Sequence, residues 1–555
     1  MDGRGGIQQF REDNLSGNSR LFLSGNEAVA LAAKHGHVSL GTGYPGTPST
    51  EILENFAELG GKAQWAPNEK VALEVAIGVA LGRADALVTM KHVGLNVAAD
   101  PLFSVAYTGV PGALVIVSAD DPGMASSQNE QDNRRYAVAA GVPMLEPADS
   151  QEAYDFTLAA IELSREWETP VLLRMTTRVC HSKTVVVPRE VGKLPDSPRF
   201  VRDMEKYVMI PAYARRAHKR LREKLRALAA VSESPRFVRE DAGAEELGII
   251  TSGISYMHVR EAVPEAAVLK LGMTYPLPLE AIREFAARFQ RCLVVEEGDP
   301  YLVEQIRSAG IPVEDKPEMY RFGELDVARV RRIAAGDISP EPVPPPVKPP
   351  QLCNGCPHRV TMEILRELDC IVAGDIGCYS LGVLPPFQAI DALICMGAGI
   401  GMGLGLRHVL PEEQARRVVS IIGDSTFVHT GIPGVVEMVY NPPPTGHLVL
   451  ILDNGTTAMT GMQEHPGTGR TLNHEPTGRV DFEQLCKSLG IENVGTIDPL
   501  SDREGLKTAI RTALASNDLS VIIVRRTCLL AAGKIRQYEA AAQKSTACDA
   551  VTPVP

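Results

Sequence analysis

The chain has 555 residues, 44% of them hydrophobic and 22% charged, the balance of an ordinary globular protein with room for about three domains. A formal net charge of −12 argues against a nucleic-acid partner. The first 20 residues are polar and lack the apolar core of a secretory leader, so the ten cysteines are expected to be reduced thiols of a cytoplasmic enzyme.

In chain order, residues 1–20 are expected to form a flexible arm. Over residues 21–190, short apolar runs at 86–90, 113–119 and 170–176 alternate with amphipathic stretches. That alternation predicts an α/β domain around a largely parallel sheet. Near its start, residues 41–50 (GTGYPGTPST) make a tight loop whose Gly46 and Thr47 are candidates to touch a ligand. The same loop is also compatible with a plain turn and a hydroxyl-capped helix. Residues 68–96 predict a helix with Glu69 in its first turn, then a strand, then a polar turn with Lys91 and His92. A carboxylate at a helix start either complements the dipole or serves a ligand, and Glu74 is the competing candidate. Residues 191–245 are Arg-rich and predict a solvated connecting helix with ion pairs at helical spacing. Residues 246–335 predict a smaller α/β domain with strands at 247–253, 267–272 and 292–298. Prolines make residues 336–352 an extended linker. A last domain spans 353–530, and the tail 531–555 is weakly helical before its pattern fades.

Polar clusters in the last domain have the composition of a site. The wholly apolar runs 418–422 and 448–452 predict buried parallel strands joined by a crossover helix. Gly423-Asp424-Ser425-Thr426 and Asp453-Asn454-Gly455-Thr456 then emerge at neighbouring strand ends, where open α/β sheets bind ligands. Asp424 offers a carboxylate, Asn454 a neutral carbonyl and Thr456 a backbone carbonyl. Such hard oxygens suit Mg²⁺ completed by diphosphate and water. Either cluster alone also fits an ordinary βαβ unit. Upstream, Cys353, Cys356 and His358 form a C-x-x-C-x-H group. Zinc would need a fourth ligand and a second spaced pair, which the sequence does not supply. The loop 374–382, with Gly377 and Cys378, permits close backbone approach to a ligand or makes a simple turn. The uncharged run 392–406 is short for a membrane span, and its glycines favour tight helix packing in a core.

In order, GYPGTPST, NEKVALE, TTRVCHS, CNGCPHR, GDIGCYSLG, GDST and DNGTTAMTGMQEHPGTG resemble the large (alpha) subunits of the indolepyruvate:ferredoxin oxidoreductase family. That family lies within the 2-oxoacid:ferredoxin oxidoreductase superfamily, and the likeness covers roughly residues 20–530. GDS and DN stand here where most thiamine diphosphate enzymes have GDG and NN. The resemblance implies three parallel-sheet α/β domains of thiamine diphosphate-enzyme type: pyrimidine-binding, transketolase-C-like and pyrophosphate-binding. It implies thiamine diphosphate and Mg²⁺, with Asp424, Asn454 and Thr456 on the metal. Gly46, Thr47, Cys353, Cys356, Gly377, Cys378, Gly423 and Ser425 would lie around the cofactor, with Glu69 and His358 as catalytic groups. Glu69 would bond N1′ of the aminopyrimidine and shift it toward the imino tautomer that acts as base. The implied activity is decarboxylation of a 2-oxoacid, an aryl pyruvate by family likeness, with acyl transfer to CoA. Electrons would pass to ferredoxin or a partner-borne redox centre. A smaller beta- or gamma-type subunit and a dimer of this chain are implied, with no nucleic acid and no membrane.

One departure stands out. Family members end in two C-x₂-C-x₂-C-x₃-C-P runs for iron–sulfur clusters, whereas Cys486, Cys528 and Cys548 are too sparse here, so no cluster is expected on this chain. This keeps open a non-redox decarboxylase, carboligase or acyl transferase on the same scaffold. A cofactor-binding pseudoenzyme or assembly subunit fits less well, because Glu69, Asp424 and Asn454 are all present.

Overall fold

The computed structural model describes residues 20–189, 197–342 and 349–549. The expected arm up to residue 19, parts of the connector and the proline-rich linker, and the last residues of the tail lie outside them. The chain divides into two compact units, 1–342 and 343–555.

The first unit holds a seven-stranded sheet in the order Met273–Tyr275, Met144–Leu145, Val171–Thr176, Leu114–Asp120, Ala86–Lys91, Leu40–Gly43, Ala63–Trp65. Neighbours are parallel except at Met273–Tyr275, which runs antiparallel to Met144–Leu145. The apolar runs of the sequence are its central strands, and they show no alternation because helices cover both faces. Leu87, Val115 and Val117 pack with Gly25–His35 and Ser150–Trp167 on one side. Val88, Leu114 and Ile116 pack with Glu69–Leu81 and Ala99–Thr108 on the other.

The connector differs from its expected character. Its helix Pro211–Ser232 buries Ala217, Leu221, Leu225 and Leu228, and Leu221 and Leu225 join the second of these cores. Three- and four-residue spacing puts those side chains on one stripe, while Arg215, Arg216, Arg220, Arg222 and Arg226 stay exposed. A four-stranded sheet runs Arg291–Val295, Ala244–Ser252, Ala266–Leu271, Val238–Asp241, antiparallel only at the last. The chain leaves this sheet at Leu271 and enters the seven-stranded one at Met273. Gly272 makes the passage: a Cβ there would lie 2.6 Å from the Phe156 ring.

The second unit is built on a five-stranded parallel sheet, ordered Ile371–Ala373, Val418–Gly423, His447–Asp453, Leu519–Arg525, Asn493–Ile497. The glycine-rich run supplies the helix Ala398–Val409. A Cβ on Gly403 would lie 2.1 Å from Ser420 Oγ and one on Gly399 2.9 Å from the Gly374 carbonyl. The glycines therefore bring helix and strand backbones together. Among the described residues no helix is long and apolar enough to cross a membrane. The tail begins as one helix, Ala532–Asp549, longer than its composition suggested.

Candidate active site

In the first unit, Asn68 caps the helix Glu69–Leu81 by accepting the Val71 amide at 2.9 Å. Asn followed by Glu satisfies free amides and complements the helix dipole, so the local fold follows from the sequence. Glu69 is 5% exposed and lies against Gly94. A Cβ on Gly94 would sit 2.5 Å from Glu69 Oε1, so glycine there makes the space that the carboxyl group fills. Glu74 is 45% exposed and pairs with Lys70, which makes it a surface ion pair.

The expected polar turn is instead the helix His92–Val97. Its His92 carbonyl accepts Gln131 Nε2 at 3.1 Å and Asn133 Nδ2 at 3.0 Å. A Cβ on Gly46 would meet Lys91 Cβ at 2.9 Å, so the loop carrying Gly46 and Thr47 touches the end of strand Ala86–Lys91. Ser49 stands at the start of the helix Thr50–Glu58 without a side-chain capping hydrogen bond. With φ −97° and ψ −2° it lacks the extended backbone of a capping residue, and its hydroxyl donates to the Gly46 carbonyl at 3.1 Å. Thr50 Oγ1, at the first residue of that helix, is buried without a partner.

In the second unit, Gly423 stands opposite Leu452 in the parallel pair Val418–Gly423 and His447–Asp453. Asp424 and Asn454 therefore leave adjacent strand ends. Asp424 Oδ1 accepts the Ser425 amide at 2.9 Å and Oδ2 accepts the Gly455 amide at 2.8 Å. Asn454 Oδ1 accepts the Thr456 amide at 3.1 Å, and Thr457 Oγ1 donates to Ser425 Oγ at 2.9 Å. Gly455, at φ +73°, allows the left-handed turn that this folding-back requires. The two motifs are thus one hydrogen-bonded structure. Burial works to raise the Asp424 carboxyl, but His465 at 3.2 Å and the two amides outweigh it and hold it below the usual range.

Residues 31–219 match the thiamine diphosphate-binding model of pyruvate flavodoxin/ferredoxin oxidoreductases, and residues 375–524 match the C-terminal TPP-binding domain of thiamine pyrophosphate enzymes. The chain is 38% identical to indolepyruvate oxidoreductase subunit IorA of Archaeoglobus fulgidus, over 94% of this chain and 88% of that protein. It is 40% identical to IorA of Methanothermobacter marburgensis (93% and 88%) and 38% identical to IorA of Pyrococcus abyssi (95% and 90%). The chain belongs to the indolepyruvate oxidoreductase IorA family. It is a thiamine diphosphate-dependent 2-oxoacid oxidoreductase subunit of α/β fold.

In this IorA-family chain the glycines of the second unit admit a protein ring. The Gly423 amide donates to the Tyr379 hydroxyl at 2.9 Å, and that hydroxyl donates to the Ile376 carbonyl at 2.9 Å. A Cβ would lie 2.8 Å from the Tyr379 ring at Gly423 and 2.5 Å at Gly377. The loop at Gly377 was open to a ligand approach or a simple turn, and within the chain the close neighbour there is Tyr379. His358 is 5% exposed, stands edge-on to Tyr379 with centroids 5.8 Å apart, and lies 3.5 Å from Asn454 Nδ2. Burial pushes it down to about 4, against the opposing charge of Asp424, so it is neutral at pH 7.

Cys353 is exposed, and Cys356 and Cys378 are half-buried. The Cys378 thiol is pushed up to about 11 by burial and then by Cys356, Cys528 and Cys353. Cys528 belongs with this group: its amide donates to the Asn454 carbonyl at 2.9 Å. Sequence reasoning placed it among sparse tail cysteines, and no local signal could have moved it. His465 and Asp375 were also missed, although both lie within quoted motifs. Buried Asp375 accepts the Ile376, Gly397 and Gly399 amides at 2.8, 2.8 and 3.0 Å, tying its loop to the start of the glycine-rich helix. Among the described residues no three His, Cys, Asp or Glu side chains converge as a metal cage. Asp424, the Asn454 side chain and the Thr456 carbonyl offer hard oxygen donors of the kind that suit a cation shared with a phosphate ligand.

Proposed function

We propose that this chain is the catalytic subunit of an oxidative decarboxylase of 2-oxoacids, aryl pyruvates by likeness to its relatives. Asp424, Asn454 and Thr456 would hold the diphosphate of thiamine diphosphate through Mg²⁺, and Glu69 would hold its aminopyrimidine. The bound cofactor supplies an electron sink for the charge left as CO₂ departs. The observation that carries this reading is the joined turn, in which the Asp424 carboxylate binds the Gly455 amide beside the oxygens of Asn454 and Thr456. Glu69 fits its role because Gly94 leaves space for a carboxyl in a buried, preorganised position. Its task is to hold or release a proton at N1′. Neutral His358 is suited to accept or donate a hydrogen bond, and not to serve as a standing cation.

The overall change is 2-oxoacid plus CoA to acyl-CoA, CO₂, one proton and two electrons. The electrons would leave through ferredoxin or a redox centre on a smaller partner subunit, as the word subunit in the relatives' names supports. A second copy of this chain completes the proposed assembly. The nine free cysteines of the described residues support a reducing, cytoplasmic setting. Three further parts of the reading rest on motif order: a pyrimidine-binding region at 21–190, a transketolase-C-like region at 246–335 and a pyrophosphate-binding region at 353–530.

The test is purified chain with its partner, thiamine diphosphate, Mg²⁺, phenylpyruvate, CoA and an artificial electron acceptor. Acyl-CoA formation that stops without the acceptor is expected. Aldehyde or acyloin formed at the same rate without an acceptor would overturn the oxidative assignment, and wild-type turnover in Glu69→Gln would overturn the cofactor assignment.

A further inference from the structure

Strand Ala86–Lys91 ends beside Glu69 on a half-buried cation. Lys91 immediately precedes the helix His92–Val97, whose Gly94 lies against Glu69 Oε1. Its Cβ is also the atom that a Cβ on Gly46 would meet at 2.9 Å. The Lys91 stem therefore passes the Gly46 loop at the start of the helix that backs Glu69.

The ammonium of Lys91 has donors to spare. Nζ donates to the Ser126 carbonyl at 2.7 Å, and among the described residues no carboxylate lies within ion-pair distance of it. Asp121 acts on it only from farther away, and that carboxylate is already engaged. Its Oδ2 accepts the Ser126 amide at 2.9 Å and the Ser127 hydroxyl at 2.5 Å, and its Oδ1 accepts Thr177 Oγ1 at 2.8 Å. Burial outweighs the pull of Asp121 and holds Lys91 below the ordinary lysine range. Other cations of this unit are neutralised: Arg174 pairs with Asp120 and Glu146, Arg178 with Glu324, and Lys183 with Glu27.

A partly desolvated ammonium with open donors calls for an anion. We propose that Lys91 holds the carboxylate of the 2-oxoacid substrate. The inference rests on the reading of Glu69 as the group that holds the aminopyrimidine. The substrate is a monoanion that must enter beside a buried carboxyl group, so a cation is needed against repulsion and lost hydration. In the proposed site the cofactor's diphosphate meets the Asp424 turn, and the phosphates of CoA stand a pantetheine arm away from its reacting thiol. Neither calls for a cation beside Glu69. The carboxylate loses its charge as CO₂ leaves, so Lys91 holds the ground state at least as well as the transition state. Its removal should therefore act on KM and not on kcat.

The probe is 3-phenylpropionate, which keeps the aryl group and carboxylate but has no keto carbon. It is titrated calorimetrically into the complex of chain, partner and thiamine diphosphate, with uncharged 3-phenylpropionamide as control. Lys91→Met, whose unbranched side chain follows the lysine stem, should weaken the acid about tenfold or more. Affinity for the amide should change by no more than about twofold. In turnover the same variant should raise KM for phenylpyruvate about tenfold or more, with kcat near wild type. If Lys91→Met does not fold, crystals of the wild-type complex with 3-phenylpropionate decide, and its carboxylate is expected on Lys91 Nζ. The proposal is overturned by absence of saturable binding, by unchanged affinity for the acid, by equal weakening of acid and amide, by a loss confined to kcat, or by a carboxylate seated elsewhere. The two readings fail separately. A complex that forms no acyl-CoA, yet loses acid-selective binding in Lys91→Met, strikes the proposed reaction and supports Lys91 as the carboxylate's partner.

Discussion

Gly94→Ala isolates the carboxylate's position from its chemistry. Gly94 lies within the helix His92–Val97 and is not among the residues with positive φ, so alanine suits the backbone. In a helix interior alanine is favoured over glycine by about 0.8–1 kcal/mol, which offsets part of the overpacking cost of about 1–3 kcal/mol, so the protein should still fold. The new Cβ, however, would lie 2.5 Å from Glu69 Oε1, 2.6 Å from Cγ and 2.8 Å from Cδ, where real Cβ contacts do not fall below 3.0 Å. Glu69 must retreat by half an ångström or more. Misplacing a catalytic group by ~1 Å costs on the order of 100-fold, so kcat/KM should fall roughly 10- to 100-fold. The assay is steady-state acyl-CoA formation with an artificial acceptor, paired with thermal unfolding. Wild-type kcat/KM in a folded Gly94→Ala protein would refute a positioned, catalytic Glu69.

Glu74→Gln provides the contrast, because its carboxylate is exposed beside Lys70; kcat/KM should match wild type, and a large loss would return Glu74 to the site. His465→Ala removes the donor to Asp424 Oδ2. An outer partner of a metal ligand is worth ~10–100-fold in metal affinity, so half-maximal thiamine diphosphate binding should need that much more Mg²⁺, and an unchanged Mg²⁺ dependence would count against Asp424 as a ligand. Buried His447 is pushed down to about 3 by burial and by the Arg407 cation, against about 6.5 when unfolded. Unfolded chain then binds the extra proton between those values, so this contribution is full above pH ~6.5 and drains away toward pH 3. Chemical denaturation at pH 7 and 4.5 should show a smaller loss in His447→Gln than in wild type; equal losses would discard the effect.

Much of the architecture was legible because burial on both faces leaves a local mark. The runs 113–119 and 448–452 are apolar at nearly every position, and they supply the central parallel strands Leu114–Asp120 and His447–Asp453. The turn residues after them placed Asp424 and Asn454 at strand ends, since a polar cluster closing a buried strand has few other places to go. Glu69 was legible for a similar reason: Asn68 and Glu69 specify a helix start without help from the rest of the chain.

The contacts that turn those residues into a candidate site were not legible. Glycine at 377 and 423 signals close approach, but only folding shows that one ring, Tyr379, fills both gaps. Gly94 is 25 residues from the carboxyl it accommodates, and Cys528 is far along the chain from Asn454. Met273–Tyr275, written among strands of the smaller sheet, instead closes the edge of the larger one. Periodicity and turn chemistry act over a few residues and decide which segments become strands and helices. Which loop meets which is decided by packing of the completed sheets, through contacts that no local pattern encodes.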